Sequence, residues 1–246
     1  MNPPRSALVT GGSSGIGAAV VGELRRAGTQ VAVIDRDAAE GDGDLAVVCD
    51  VTDEAAVAAA VGEVRGRFGS LDLAVCNAGI GGFSPLLEMT ADEWDRVFAV
   101  NARGVFVTMR EAARVMVADG TGGAIVVTSS VSAVLGERGM AHYGSSKAAV
   151  NQLVRIAARE LGPQGITVNA VAPGATDTAL FSSTAAIPGY RRRVAERSAL
   201  GEVGSAEAVA AAVVAVAGLR WVTGAVVPAD GGVSLWSPID PMERDR

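Results

Sequence analysis

"ALVTGGSSGIG", residues 7–17, decides the fold. Ala7 to Thr10 form an apolar run that reads as a buried strand, and the glycines after it break the strand into a turn. A helix follows, with Ile16, Val20, Leu24 and Ala27 on one face and Gly28 to stop it. A glycine turn between a strand and a helix lets the backbone come close to a bound group. It also aims the free N–H groups of the helix start at any anion held there. Gly11, Ser13, Ser14, Gly15, Ile16 and Gly17 are therefore candidate contacts for a phosphate-bearing ligand. The spacing is G-x-x-x-G-x-G, not the commoner G-x-G-x-x-G, and by itself it is a weak signal, since many such turns carry glycine only for packing.

The same alternation continues outward. "VAVID" (31–35), "LAVVCDV" (45–51), "LDLAVCNAG" (71–79), "GAIVVTSS" (123–130), "ITVNAVAPG" (166–174) and "GAVVPADGG" (224–232) read as further strands. Between them lie helical stretches. One is marked by Val57, Val61, Val64 and Phe68. Another opens on the capping box "TADE" (90–93) and carries Trp94, Val97 and Asn101. A third runs to about Ala118, and a long one spans 142–161. Alternating strands and helices imply an α/β fold, a Rossmann-like doubly wound parallel sheet of about seven strands with helices on both faces. No linker, repeat or composition break divides the chain, so residues 1–246 are expected to form one domain. The least regular stretch, 175–204, follows the sixth strand and is placed to act as a lid over a site at the strands' carboxyl ends.

Composition narrows the function classes. Hydrophobic residues make up 49% of the chain and charged residues 20%, enough for a sizeable core. A net charge of −6 argues against nucleic acid. "MNPPRS" (1–6) is no signal peptide, and "AVAAAVVAVAGL" (208–219) is too short to span a bilayer, so no membrane association and a cytoplasmic location are expected. Cys49 and Cys76 each end an apolar run without metal or redox spacing, and read as reduced core thiols.

Asp35 ends the second strand, 18 residues after Gly17, close to where an acid accepts hydrogen bonds from an adenosine ribose. Arg36 follows it, and Asp50 at the tip of the third strand is placed to meet the adenine.

Taken in order, the motifs resemble those of the short-chain dehydrogenase/reductase family across residues 6 to about 232. They are "TGGSSGIG" (10–17), "CDV" (49–51), "NAG" (77–79), Asn101 in "FAVNARG", "TSSVSA" (128–133), "YGSSK" (143–147), "PGATDT" (173–178) and "ADGG" (229–232). The resemblance implies nicotinamide-dependent interconversion of an alcohol and a carbonyl. It implies catalytic roles for Asn101, Ser130, Tyr143 and Lys147; Tyr143 lies 13 residues after Ser130, which selects Ser130 over Ser129. It also implies cofactor contacts from Val51, Asn77, Ala78, Gly79, Tyr143, Lys147, Pro173, Gly174, Thr176 and Thr178.

Tyr143 and Lys147 are i and i+4 on one helix, so their side chains share a face. A neighbouring ammonium favours phenolate, which lowers the tyrosine pKa from about 10 and suits it to proton transfer. Ser130 is placed to hydrogen-bond the substrate oxygen, and by resemblance Asn101 holds a water behind Lys147. His142, the single histidine, lies about 100° round the helix from Tyr143 and reads as a pocket-rim or interface side chain.

Asp35 would repel a 2′-phosphate and Ser14 is not basic, so NAD is expected over NADP. Candidate pocket residues are Gly81, Gly82, Phe83, Val131, Leu135, Met140, Ala179, Leu180 and Phe181, a mostly apolar set that suits a hydrophobic or cyclic secondary alcohol or ketone. A reductase of 3-oxoacyl thioesters is the alternative, with "YRRRVAER" (190–197) as a docking cluster; a non-catalytic nucleotide-sensing scaffold is a third reading. The resemblance further implies a homotetramer built partly on the helices at 94–101 and 152–159. Val150, Leu153, Val154 and Ala157 are read as its helix-contact face, and the tail 234–246 as a crossing element.

Overall fold

The strands are β1 (Ser6–Thr10), β2 (Gln30–Asp35), β3 (Leu45–Val48), β4 (Leu73–Cys76), β5 (Gly123–Thr128), β6 (Ile166–Pro173) and β7 (Val226–Ala229). They pair in parallel, in the order β3-β2-β1-β4-β5-β6-β7, giving the expected seven-stranded α/β sheet. The computed structural model describes residues 3–37, 43–185 and 187–237. Most of the acidic turn after Asp35, and residues 238–246 of the tail 234–246 read as a crossing element, lie outside those residues.

Residue alternation along the strands builds two cores. Leu8, Ala32, Ile34, Ala74, Cys76, Ile125 and Val127 face α2 (Glu54–Phe68), α4 (Val105–Asp119) and α5 (Ala141–Leu161). Ala7, Val9, Val31, Val33, Val75 and Val126 face α1 (Gly15–Arg26) and α8 (Ala206–Ala217). Val9 pairs with Val33 on one side and Val75 on the other. The chain thus leaves β1 in one direction and returns on its opposite edge, opening a crevice between the ends of β1 and β4. This crevice positions the candidate site.

Four expectations are corrected. Ala27 is not on the buried face of α1; it caps the helix and is exposed, because Gly28 already turns the chain away. Asn101 is not in α3 (Ala91–Phe98) but in a π-helical turn, Ala99–Gly104, which joins α3 to α4. The stretch 175–204 is more regular than read, holding α6 (Ala179–Ala185) and α7 (Tyr190–Arg197). Val150, Val154 and Ala157 are buried against the sheet, with Leu153 half-buried beside them, so they do not offer a face to another subunit. The outward residues of α4 and α5 include Phe106, Val117 and Ile156. Among the described residues no helix is long and apolar enough to cross a membrane.

Candidate active site

The glycine turn is built to hold its backbone against something. Gly11 has φ +63°, and its N–H donates to Ile34 O at 2.8 Å. A Cβ on Gly17 would lie 2.0 Å from Gly11 O, so the turn closes to a distance that only glycine permits. Asn77, just past β4, latches it by donating from Nδ2 to Thr10 O (3.2 Å) and Gly11 O (3.1 Å). Thr10 Oγ1 in turn accepts from the backbone N–H of Asn77 and of Ala78. Ser14 precedes α1 without a side-chain cap, leaving the first-turn N–H groups for a ligand, and Ser13 and Ser14 are exposed. Asp35 accepts from Ser13 N at 3.1 Å, which places its carboxylate beside the turn. Asp50 is held below the usual carboxylate range by hydrogen bonds from Thr52 N and Oγ1, with Arg36 adding to the effect. Val51 is buried against Gly104 of the π turn. Beyond β6, Pro173 and Gly174 lead into Thr176, which donates to Gly174 O, and Thr178, which packs over Gly15. Asn77, Asp35 and Thr178 thus meet the glycine turn from three sides, and the free N–H groups of its helix start are the donors a phosphate would need.

The second cluster sits at the ends of β4 and β5. Asn101 is fully buried: its Oδ1 accepts from Ile80 N and its Nδ2 donates to Ile80 O, each at 2.9 Å, with a further contact to Ser146 Oγ. π turns recur where a helix must aim one side chain into a site. Lys147 is buried and donates from Nζ to Thr128 O at 2.7 Å; burial pushes its pKa down to about 8. Gly79 lies between Asn101 and Lys147. Tyr143 has the Lys147 ammonium 5.8 Å from its ring centroid. The expected lowering of its pKa is not what this pocket produces: burial pushes the phenol up, Glu137 adds to that, and a hydrogen bond with Ser130 opposes it. The structure thus brings Asn101, Ser130, Tyr143 and Lys147 together.

Two features were not read from the sequence. Ser130 Oγ donates to Ser132 Oγ and accepts from Ser132 N, both at 3.1 Å, and Ser132 donates to Glu137 through a very short hydrogen bond. Ser132 lies inside the quoted "TSSVSA", but nothing in its spacing marks a partner five residues on. His142 is not a rim residue. It is 2% exposed under Gly82, its Nδ1 accepts the Tyr143 N–H at 2.8 Å, and burial pushes its pKa down. Nδ1 as acceptor puts the proton of the neutral ring on Nε2.

The pocket residues divide. Leu180 packs over Gly81 and Phe83 over Gly139, so the loop after β4 meets both the 135–140 loop and the lid. Phe83 is 62% exposed and Leu180 is also exposed, while Leu135 and Met140 are half-buried and Val131 is buried. Phe181 is buried and turned toward Tyr190, ring centroids 5.9 Å apart, which ties α6 to α7 rather than to the pocket. Three of the four arginines of α7 have partners elsewhere in the fold: Arg191 with Asp177 at 2.9 Å through two nitrogens, Arg193 with Pro188 O, and Arg197 over the Trp236 ring; Arg192 is exposed, beside Glu196 at 3.8 Å. Both cysteines are buried and unpaired, and burial pushes the Cys76 thiol up to about 12.

Comparison with known proteins shows which sequences and folds this chain is similar to. A family model described as enoyl-(acyl carrier protein) reductase matches residues 11–234. The chain is 40% identical over 243 residues to a cis-4-hydroxycyclohexanecarboxylate dehydrogenase of Sinomonas cyclohexanicum, covering 93% of this chain and 96% of that one. It is 41% identical over 186 residues to a 3-oxoacyl-[acyl-carrier-protein] reductase of Staphylococcus aureus, covering 71% and 75%. Among solved structures, a short-chain type dehydrogenase/reductase from Mycobacterium marinum superposes with a TM-score of 0.89 at 35% identity, covering 94% and 96%.

Proposed function

The chain belongs to the short-chain dehydrogenase/reductase family, an oxidoreductase family that uses NAD(P), and we propose that it oxidises a neutral hydrophobic or cyclic secondary alcohol to a ketone with NAD. The observation that carries this reading is the convergence of Asn101, Ser130, Tyr143 and Lys147 at the end of the crevice that holds the glycine turn. When bound, NAD supplies the acceptor for the hydride that leaves the carbinol carbon. Tyr143 takes the hydroxyl proton as that bond breaks, and Ser130 fixes the oxygen beside it. Lys147, held on Thr128 O, keeps hydrogens for the nicotinamide ribose, and its charge favours the phenolate as it forms. Asn101 braces the Ile80 backbone so that the floor of the site does not shift. Asp35, beside the turn at Ser13, supports NAD over NADP.

The apolar side chains Leu135, Met140 and Leu180 support an apolar substrate, and the alcohol named for the Sinomonas relative is cyclic. A thioester reductase is less favoured because Arg191, Arg193 and Arg197 already have partners within the fold. The intact catalytic set disfavours a scaffold. The test is absorbance at 340 nm with NAD and a panel of cyclic and acyclic secondary alcohols, run beside 3-oxoacyl thioesters with reduced cofactor. Turnover of cyclic alcohols is expected; turnover of the thioesters alone would overturn the reading.

A further inference from the structure

One carboxylate near the reacting oxygen has no part in the mechanism above. Glu137 lies in the loop between β5 and α5, five residues after Ser132. Its Oε2 accepts from Ser132 Oγ, which fixes the side chain although the residue is exposed. Ser132 accepts in turn from Ser130, so Glu137 stands two hydrogen bonds from the group that holds the substrate oxygen. Its Oε1 takes no hydrogen bond among the described residues. The loop around it carries Leu135 and Met140 beside the exposed Arg138, and Phe83 packs on Gly139. The negative charge of Glu137 also adds to the upward push on the Tyr143 phenol.

We propose that Glu137 is the specificity-determining acceptor of the substrate pocket, its Oε1 binding a second hydroxyl on a cyclic substrate while the ring lies on Leu135 and Met140. This rests on the alcohol oxidation proposed above and narrows its substrate class to cyclic diols and polyols. The geometry supplies the reason. Ser132 holds one carboxylate oxygen, so the other is oriented in advance, and a donor that reaches it loses little to reorganisation. A carboxylate on the substrate, lacking a proton to donate, would gain no hydrogen bond from Oε1.

The test has two arms. In the first, kcat/KM is measured with NAD for 1,4-cyclohexanediol, cyclohexanol and 4-hydroxycyclohexanecarboxylate, in wild type, Glu137→Gln and Glu137→Leu. The diol-to-cyclohexanol ratio is expected to fall at least about tenfold in Glu137→Leu, the size of one hydrogen bond to a charged group. The carboxylate-to-diol ratio should rise in Glu137→Leu, which removes the acceptor, and change little in Glu137→Gln, which keeps one. An unchanged diol-to-cyclohexanol ratio overturns the proposal. The second arm needs no turnover. The chain has two tyrosines, so Tyr190→Phe leaves Tyr143 alone, and 3-fluorotyrosine labelling makes its titration readable by fluorine NMR. Glu137→Gln should move that titration to lower pH, and no movement overturns the placement of Glu137. A wild type that oxidises none of the alcohols overturns the proposed reaction, and the substrate assigned here falls with it.

Discussion

The backbone N–H of Tyr143 donates to Nδ1 of His142 at 2.8 Å, so the single histidine serves as an acceptor in the first turn of the helix that carries the phenol. That N–H has no partner within the helix, and the imidazole supplies one. Tyr143→Phe is therefore expected to lower kcat at least ~10²-fold with nucleotide affinity retained. His142→Ala should lower the melting temperature, because it leaves a buried donor unpaired, while the pH dependence of kcat/KM keeps its shape. A flattened pH profile in His142→Ala would transfer the proton-carrying role to the histidine.

Asp35 holds Ser13 N and faces the place where a ribose is expected. With NADP, about two further negative charges would lie near it. A pair at roughly 4 Å and effective ε near 20 costs about 4 kcal/mol, reduced here by solvent and Arg36. Wild type is expected to prefer NAD by ~10²–10³ in kcat/KM, or about 3–4 kcal/mol. Asp35→Ala should lose affinity for NAD and gain it for NADP, measured at one ionic strength. Equal use of both cofactors by wild type would remove Asp35 from the selection.

Lys147 sets a pH dependence of stability. Burial lowers its pKa from 10.5 to about 8, so between those values the unfolded chain binds more protons than the folded one. Stability therefore rises with pH through that window, and below it the cost of the buried cation is constant. The shift corresponds to about 3 kcal/mol at 1.36 per unit. Urea unfolding at pH 7 and pH 9.5 should show wild type gaining on Lys147→Met as pH rises. A gap that does not change with pH would mean the ammonium is solvated.

A homotetramer is expected, with Phe106, Val117 and Ile156 on the outward sides of α4 and α5 as its contact residues. Light scattering at micromolar concentration checks it. Ile156→Asp should shift the distribution toward smaller species, whereas a monomeric wild type would refute the expectation.

The parts of this molecule legible in its sequence are those written in short-range chemistry. The period of Val57, Val61 and Val64, the capping box of Thr90 and Glu93, and the glycine turn each depend on neighbours within a few residues. The i, i+4 relation of Tyr143 and Lys147 is of the same kind. The π turn at Asn101 was not legible, because its one extra residue per turn leaves no compositional mark. Nor was the burial of His142, which depends on Gly82, 60 positions away. Val154 and Ala157 misled because an apolar helix face looks the same whether a sheet or another subunit covers it. The pKa of Tyr143 follows its burial rather than its i+4 proximity to Lys147, and helical spacing does not show burial.

The latch from Asn77 to Thr10 and Gly11 has a consequence for the order in which this chain folds. The contact spans 66 and 67 positions, so the glycine turn has no fixed shape until β4 has paired with β1. A nascent chain ending before β4 holds the whole glycine motif and none of its grip. Nucleotide therefore favours chains in which β4 has already paired with β1, and it stabilises the folded state by mass action.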